Sequence, residues 1–293
     1  MTWAEPASVL RPPISGETVV AGVAGSPVRH TLSPRIHNAW LEAAAIDGVY
    51  IPFAPPADGF AAFADGLRGG VVRGLNVTAP FKEMALALAD QSTDRAQAAG
   101  AANLLVFEPD GRIFADNTDG EGLLAAFRSQ APGFDPAAGP LVILGAGGAA
   151  RGAAAAFLAA GAPHVRFVSR NPDRGDGLVG LFGDRATWLD QAGASAAFRA
   201  ANAVINATPL GLGGGVGPDM PFESLGGVCV VMDMVYRPVR TVWLDRAKAR
   251  GLRTVDGLAM LIGQAEPSFR TFFGRPPPPI DVRSLAVAAL EAR

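Results

Sequence analysis

Short aliphatic runs alternate along this chain with alanine-rich segments in which apolar residues recur at helical spacing. The early runs TVVAGVAG (18–25), GVYIPFA (48–54), VVRGLNVT (71–78) and ANLLVFE (102–108) have the length and residue types of strands. A fifth, RIFAD (112–116), follows the turn Pro109-Asp110-Gly111 and is expected to close a hairpin. Helical spacing falls around 34–46, 57–68 and 81–90. Strands and helices in this alternation predict a mixed sheet with helices packed on it.

A second series begins at 140 with PLVILGAGG and continues through HVRFVSRN, AVINAT and VCVVMDMV. These strands are almost continuously aliphatic and are separated by helical segments, which predicts a parallel sheet buried on both faces. The segment GEGLLAAFRSQ (120–130) is expected to pack with this second unit, so the switch between domains falls near Asp119. GLAMLIGQAEPSFRTFFG (257–274) has helical spacing and is expected to cross back to the first unit. Within it, Pro267 should bend or restart the helix just after Gln264. GRPPPP is a stiff connector to a last helix from about 280.

Composition narrows the class. A chain of 293 residues, 49% hydrophobic and 18% charged, suits a two-domain enzyme with well-buried sheets rather than a disordered segment. The formal charge of -2 and the scattered arginines offer no basic block for nucleic acid. The one cysteine, Cys229, lies in an apolar run with no histidine beside it; it reads as a small buried hydrophobe in a reducing compartment. The amino terminus lacks the basic and apolar regions of a secretion signal. The most apolar helical stretch, GAAAAFLAAGAP, is too short to span a bilayer. A cytoplasmic protein with no membrane partner and no metal site is expected, as a monomer or homodimer.

The sharpest local signal is VILGAGGAARG. Gly145 and Gly147 follow a strand, with Ala146 between them, and Gly148, Ala149 and Ala150 open a helix in a G-x-G-x-x-A pattern. The first glycine permits a tight turn, the second lets a pyrophosphate approach the backbone, and the helix start offers N–H groups to the anion. The next strand ends at Ser169, Arg170 and Asn171, with Arg174 beyond, where an NAD-binding sheet would carry an acid for the ribose hydroxyl. Two guanidiniums in place of that acid suit a 2′-phosphate and predict NADP.

Only Lys82 and Lys248 among the 25 basic residues are lysines. Lys82 sits where RGLNVTAPFK leaves a strand and enters a helix. A lysine can give up and recover a proton near neutrality when its surroundings allow, whereas an arginine cannot. DNTDG (116–120) places two carboxylates just after a strand. Asp116 fits a turn that caps the next helix, while Asp119 lies near the expected cleft, within reach of a lysine's proton network.

Taken in order, these segments resemble the shikimate dehydrogenase family, including its quinate/shikimate branch. SPVRHTLSPRIHN, GLNVTAPFK, GAANLLV, DNTDG, GAGGAARG, VSRNPDR, INATPLG, MDMVYRP and DGLAMLIGQA follow at the family's spacing over nearly the whole chain. The resemblance implies reduction of 3-dehydroshikimate by NADPH to shikimate, on the route to aromatic amino acids. It aligns Lys82 and Asp119 with the catalytic pair. It implies that Thr31 and Ser33 hold the substrate carboxylate, and that Asn76, Thr78, Asn103, Asp119 and Gln264 ring its hydroxyls and carbonyl. Tyr236 falls at a substrate contact, with a core role as the alternative. Met234 and Gly257 fall at the nicotinamide end, and Asp94 matches a further acid on the cofactor side. Of the two histidines flanking the carboxylate segment, His37 is read as helix packing, and neither is given a catalytic role.

The implied architecture is α/β with two domains: a mixed-sheet substrate domain (1–118, completed by 257–293) and a Rossmann-like NADP-binding domain (119–256), with the active site in the groove between. The chain departs from the family's pattern at four places. Thr31 stands where the biosynthetic members usually carry Ser, Leu104 where Thr is usual, Ser169 where Asn is usual, and Glu266-Pro267 where small residues are common. Thr31 keeps open an NAD-linked quinate/shikimate dehydrogenase, which Arg170 and Arg174 oppose. A non-catalytic NADP-binding sensor has no use for both Lys82 and Asp119. A dehydrogenase of a related ring acid stays open, because one or two side chains read each ring position.

Overall fold

The computed structural model describes residues 12–190 and 194–292. Residues 1–11, most of the stretch read above as lacking a secretion signal, lie outside the described residues. The aliphatic runs of the first part become strands β1 (Val19–Ala24), β2 (Gly48–Phe53), β3 (Val72–Val77), β5 (Leu104–Phe107) and β6 (Ile113–Asp116). A two-residue strand, β4 (Gln91–Ser92), joins them at the edge. Their spatial order is β2-β1-β3-β5-β6-β4. β1 runs parallel to β2 and β3, β5 runs antiparallel to β3 and to β6, and β4 is parallel to β6, so the sheet is mixed as expected.

Helices α1 (Ser33–Ala43), α2 (Phe60–Asp65), α3 (Lys82–Ala87) and α4 (Asp94–Ala99) connect these strands. The sequence pattern overestimates α2 and α3 and misses α4. A Thr93 cap, whose hydroxyl accepts from the Ala96 N–H at 3.2 Å, starts α4, and Gly100 in the left-handed conformation ends it after six residues.

The second series forms β7 (Leu141–Leu144), β8 (Val165–Val168), β9 (Ala186–Leu189), β10 (Ala203–Asn206), β11 (Val230–Asp233) and β12 (Arg253–Asp256). All are parallel, in the order β12-β11-β10-β7-β8-β9. Every residue of β7, β10 and β11 is buried, because helices cover both faces of a doubly wound sheet. The helices are α5 (Asp119–Gln130), α6 (Gly148–Ala159), α7 (Pro172–Phe182), α8 (Ala194–Ala197) and α9 (Val242–Ala249). This is the Rossmann-like arrangement, and its topological switch lies between β7 and β10, whose carboxyl ends open a crevice.

Two helices follow β12. α10 (Gly257–Phe273) and α11 (Val282–Glu291) return to the first sheet, where Leu258, Ala265, Phe269, Val282 and Ala286 share a core with Ile36, Trp40 and Tyr50. α10 also sends Met260 into the other core, where α5 contributes Leu123, Ala126 and Phe127. α10 runs through Pro267 as one helix, so the restart expected there does not occur. The Gln264 carbonyl, three residues before the proline, accepts from Thr118 Oγ1 at 3.1 Å and Ser268 Oγ at 3.0 Å. The carbonyl that Pro267 leaves without its helical N–H partner is that of Gly263, one residue earlier.

Candidate active site

Three elements bring Lys82 and Asp119 together. β3 ends at Val77, and the chain turns through Thr78 and Pro80 so that Lys82 is the first residue of α3. Asp119 is the first residue of α5, directly after the β6 strand end. Gly148 opens α6, and a side chain there would come into ordinary contact with Lys82 Cβ at 3.4 Å, so the helix start lies against the lysine. Lys82 Nζ donates to Asp119 Oδ2, and the two side chains are 16% and 7% exposed.

The other Asp119 oxygen accepts from Asn103 Nδ2 at 2.8 Å, and its N–H donates to Asn117 Oδ1 at 3.1 Å. Asn103 is fixed in turn by the Thr118 N–H, which donates to Asn103 Oδ1 at 2.8 Å, and it reaches Gln264 Oε1 at 3.3 Å. The carboxylate therefore has its orientation set from both sides before any ligand arrives.

A cavity of about 190 Å³ opens onto this pair. Its wall includes Thr31, Ser33, Asn76, Thr78, Asn103, Gly257 and Gln264, together with Ala149, Met234 and Tyr236 from the second unit. Residues taken from six separate sequence segments thus meet around one space. Thr31 Oγ1 donates to Ser33 Oγ at 3.2 Å, so these two hydroxyls lie side by side on the cavity wall. Tyr236 packs its ring at the edge of the first core and also lines the cavity. Burial raises its phenol above the ordinary value, with Thr31 and the Leu32 backbone acting in the opposite direction. The sequence reading missed the apolar part of the wall, including Val28, Met260 and Leu261. The last two sit one turn before Gln264 on α10 and could have been found from that spacing.

A second cavity, about 690 Å³, occupies the switch-point crevice. Gly145, Ala146, Gly147, Ser169, Arg170, Asn171 and Arg174 line it, and so do Thr208, Pro209 and Leu210 from the β10 end. Gly145 has φ +114°, and a side chain there would sit 3.1 Å from the Ala207 carbonyl, so the turn requires glycine. Gly147 has nothing within 4 Å of its missing side chain and caps α6 without a side-chain bond. The helix start therefore offers bare N–H groups to an anion. Arg170 and Arg174 stand at the β8 end with no acid at Ser169, so the donor set fits a dinucleotide with an additional phosphate.

Two of the lining side chains are already occupied. Ser169 Oγ accepts from Trp188 Nε1 at 3.0 Å, and Asn171 Oδ1 caps α7 by accepting the Arg174 N–H at 3.0 Å. Asp94 is not brought to either cavity: it is exposed in the first turn of α4, where an acid favours the helix dipole.

The remaining candidates are structural. Burial alone would raise the Asp116 carboxyl, but bonds from Arg95 and Thr93 outweigh it and hold it below the usual range. His37 is fully buried, stacked on Tyr50 with ring centroids 4.0 Å apart, and burial lowers it to about 3, so it is neutral. Burial likewise pushes the Cys229 thiol up to about 12, far from a reactive thiolate. No helix among the described residues is long and apolar enough to cross a membrane.

Comparison with known proteins adds the following. Residues 23–105 match the family profile described as the shikimate dehydrogenase substrate binding domain. The shikimate dehydrogenase (NADP(+)) of Caulobacter vibrioides is 56% identical over 278 residues, 94% of this chain and 98% of that protein. The structure of shikimate 5-dehydrogenase from Thermus thermophilus in complex with NADP(H) and shikimate matches with TM-score 0.80 at 34% identity, over 94% of this chain and 99% of its own. Quinate dehydrogenase from Corynebacterium glutamicum in complex with NAD matches with TM-score 0.83 at 27% identity, over 94% and 99%.

Proposed function

This chain belongs to the shikimate dehydrogenase family, and from that premise we propose that it catalyses the reversible NADPH-dependent reduction of 3-dehydroshikimate to shikimate for aromatic amino-acid biosynthesis. The observation that carries the chemistry is the largely enclosed Lys82–Asp119 pair on the wall of a small cavity, against the start of α6. The cofactor domain is taken as residues 119–256, and the substrate domain as 1–118 completed by 257–293. The proposed compartment is the cytoplasm, where a buried free thiol such as Cys229 is at home.

NADP, when bound, supplies or takes up the hydride. The chain's own residues handle the proton and the geometry. Lys82 Nζ donates to the oxygen on which negative charge develops, and recovers the proton in the reverse direction. Asp119 accepts a Lys82 N–H and so aims the ammonium; Asn103 holds Asp119 in turn. Thr31 and Ser33 present hydroxyls to the substrate carboxylate, while Asn76, Thr78, Gln264 and Tyr236 read the ring. Met234 and Gly257 line the cavity where the nicotinamide end would be held. Gly145, Gly147 and the α6 start would cradle the pyrophosphate, and Arg170 and Arg174 would take the 2′-phosphate.

The test is initial-rate oxidation of shikimate and of quinate, each with NADP and with NAD. Fast turnover of shikimate with NADP alone is the expected outcome. Comparable rates with quinate or NAD would overturn the assignment and make Thr31 the residue to mutate. Arg170→Asp should raise the KM for NADP at least about tenfold, since a charge-assisted bond is lost and a repulsion added. An unchanged NADP/NAD preference in that variant would take Arg170 out of cofactor selection.

A further inference from the structure

Asn76 lines the small cavity but is only 5% exposed, and its amide is engaged by Tyr50, Ser268 and the Asn103 backbone. Asn76 Nδ2 donates to Ser268 Oγ at 2.8 Å and to the Asn103 carbonyl at 3.2 Å. Tyr50 donates its hydroxyl hydrogen to Asn76 Oδ1 at 2.7 Å. The Asn103 carbonyl can only accept, so the amide atom facing it must be nitrogen, and the atom facing Tyr50 must be oxygen. Ser268 closes the chain by donating to the Gln264 carbonyl at 3.0 Å, which leaves its Oγ to accept from Asn76.

Both Asn76 donors are thereby spent, and one lone pair on Oδ1 remains. We propose that Tyr50 and Ser268 are positioning residues that lock the Asn76 amide as an acceptor, so that it binds a substrate ring hydroxyl and rejects a carbonyl or ether at the same ring position. Neither residue reaches the cavity, and each acts through Asn76. The two supports are rigid. Tyr50 is 1% exposed and stacked on His37, while Ser268 is fully buried within α10. A substrate with an acceptor at this position would face Oδ1 with no hydrogen between, a mismatch that a buried site penalises strongly.

The inference rests on the shikimate reading for its substrate, and its test separates the two. Ser268→Ala is the cleaner variant, because Tyr50 also meets the Ser33 hydroxyl. Relative to wild type, Ser268→Ala should raise the shikimate KM about 3- to 10-fold. The kcat should stay within about twofold, with the NADP KM unchanged, because the lock acts on binding rather than on the proton. In an Asn76→Ala background the same change should have no further effect, since the group it positions is gone. A second readout needs no turnover. The Asn76 side-chain NH₂ resonances, identified by their loss in Asn76→Ala, should exchange slowly with solvent in the wild type and rapidly in Ser268→Ala. An unchanged KM in Ser268→Ala, an equal KM rise in the Asn76→Ala background, or unchanged amide exchange would each overturn the proposal. Absence of shikimate turnover in the wild type would instead overturn the substrate reading, and the exchange measurement would still decide the lock.

Discussion

Lys82→Arg is expected to lower kcat for shikimate oxidation by about a hundred- to ten-thousand-fold, the range lost with a positioned general acid–base group. The shikimate KM should change far less, because charge and a hydrogen-bond donor are kept beside Asp119. The reason is chemical rather than steric. In the oxidative direction a group must take a proton from the substrate hydroxyl as the hydride leaves, and a guanidinium holds its own protons too tightly to exchange them. Arginine would also tend to form a two-pronged bond with Asp119, drawing its donors away from the substrate oxygen. With Lys82 only 16% exposed, bulk water cannot readily stand in for the lost proton carrier. Steady-state rates at saturating shikimate and NADP check this directly. A kcat within tenfold of wild type would remove Lys82 from proton transfer and leave Asp119 or a bound water to be tested.

Much of this site can be read in the chain because its chemistry depends on residue types that are conspicuous in their setting. One lysine among arginines marks Lys82, and the glycine turn at 145–148 follows an unbroken aliphatic strand. The positions of Thr31, Asn76, Asn103 and Gln264 came from family resemblance; their polarity alone would not have joined segments so far apart. What escaped the pattern has physical causes. β9 and β12 are edge strands with polar or half-exposed residues, so they lack the aliphatic signature of the buried strands. The α10 helix runs through Pro267 while the Gln264 carbonyl takes a hydrogen bond from Thr118, a contact from outside that no window around the proline contains. The Asn76–Ser268 bond spans 192 positions. Ser268 therefore looks like an ordinary small helix residue until the fold closes.

The other large effect expected comes from a residue that carries no chemistry at all. α5 and α10 cross where Gly122 meets Gly263, with a side chain on Gly263 only 3.1 Å from the Gly122 Cα. A methyl group on Gly122 would stand 2.5 Å from the Gln264 nitrogen and 2.6 Å from the Met260 carbonyl oxygen. These are backbone atoms of a buried helix, so they cannot rotate aside, and the helices must separate. The separation falls on the site itself. Asp119 lies on α5 three residues before Gly122, on the same face, and Gln264 is the residue struck on α10. Gly122→Ala should therefore destabilise the protein by about 1–3 kcal/mol, as overpacking does, and lower Tm by several degrees. It should also reduce kcat by about a hundredfold, because a shift on the order of 1 Å moves Asp119 away from Lys82 and Asn103. Gly177→Ala in α7 is the control: nothing lies within 4 Å of that position, so Tm should hold or rise and kcat should not change. Loss of Tm without loss of kcat in Gly122→Ala would mean that Lys82 and Asn103 hold Asp119 without help from the helix crossing. A variant with wild-type Tm and kcat would mean that the two helices can part freely and that the crossing does not set the site.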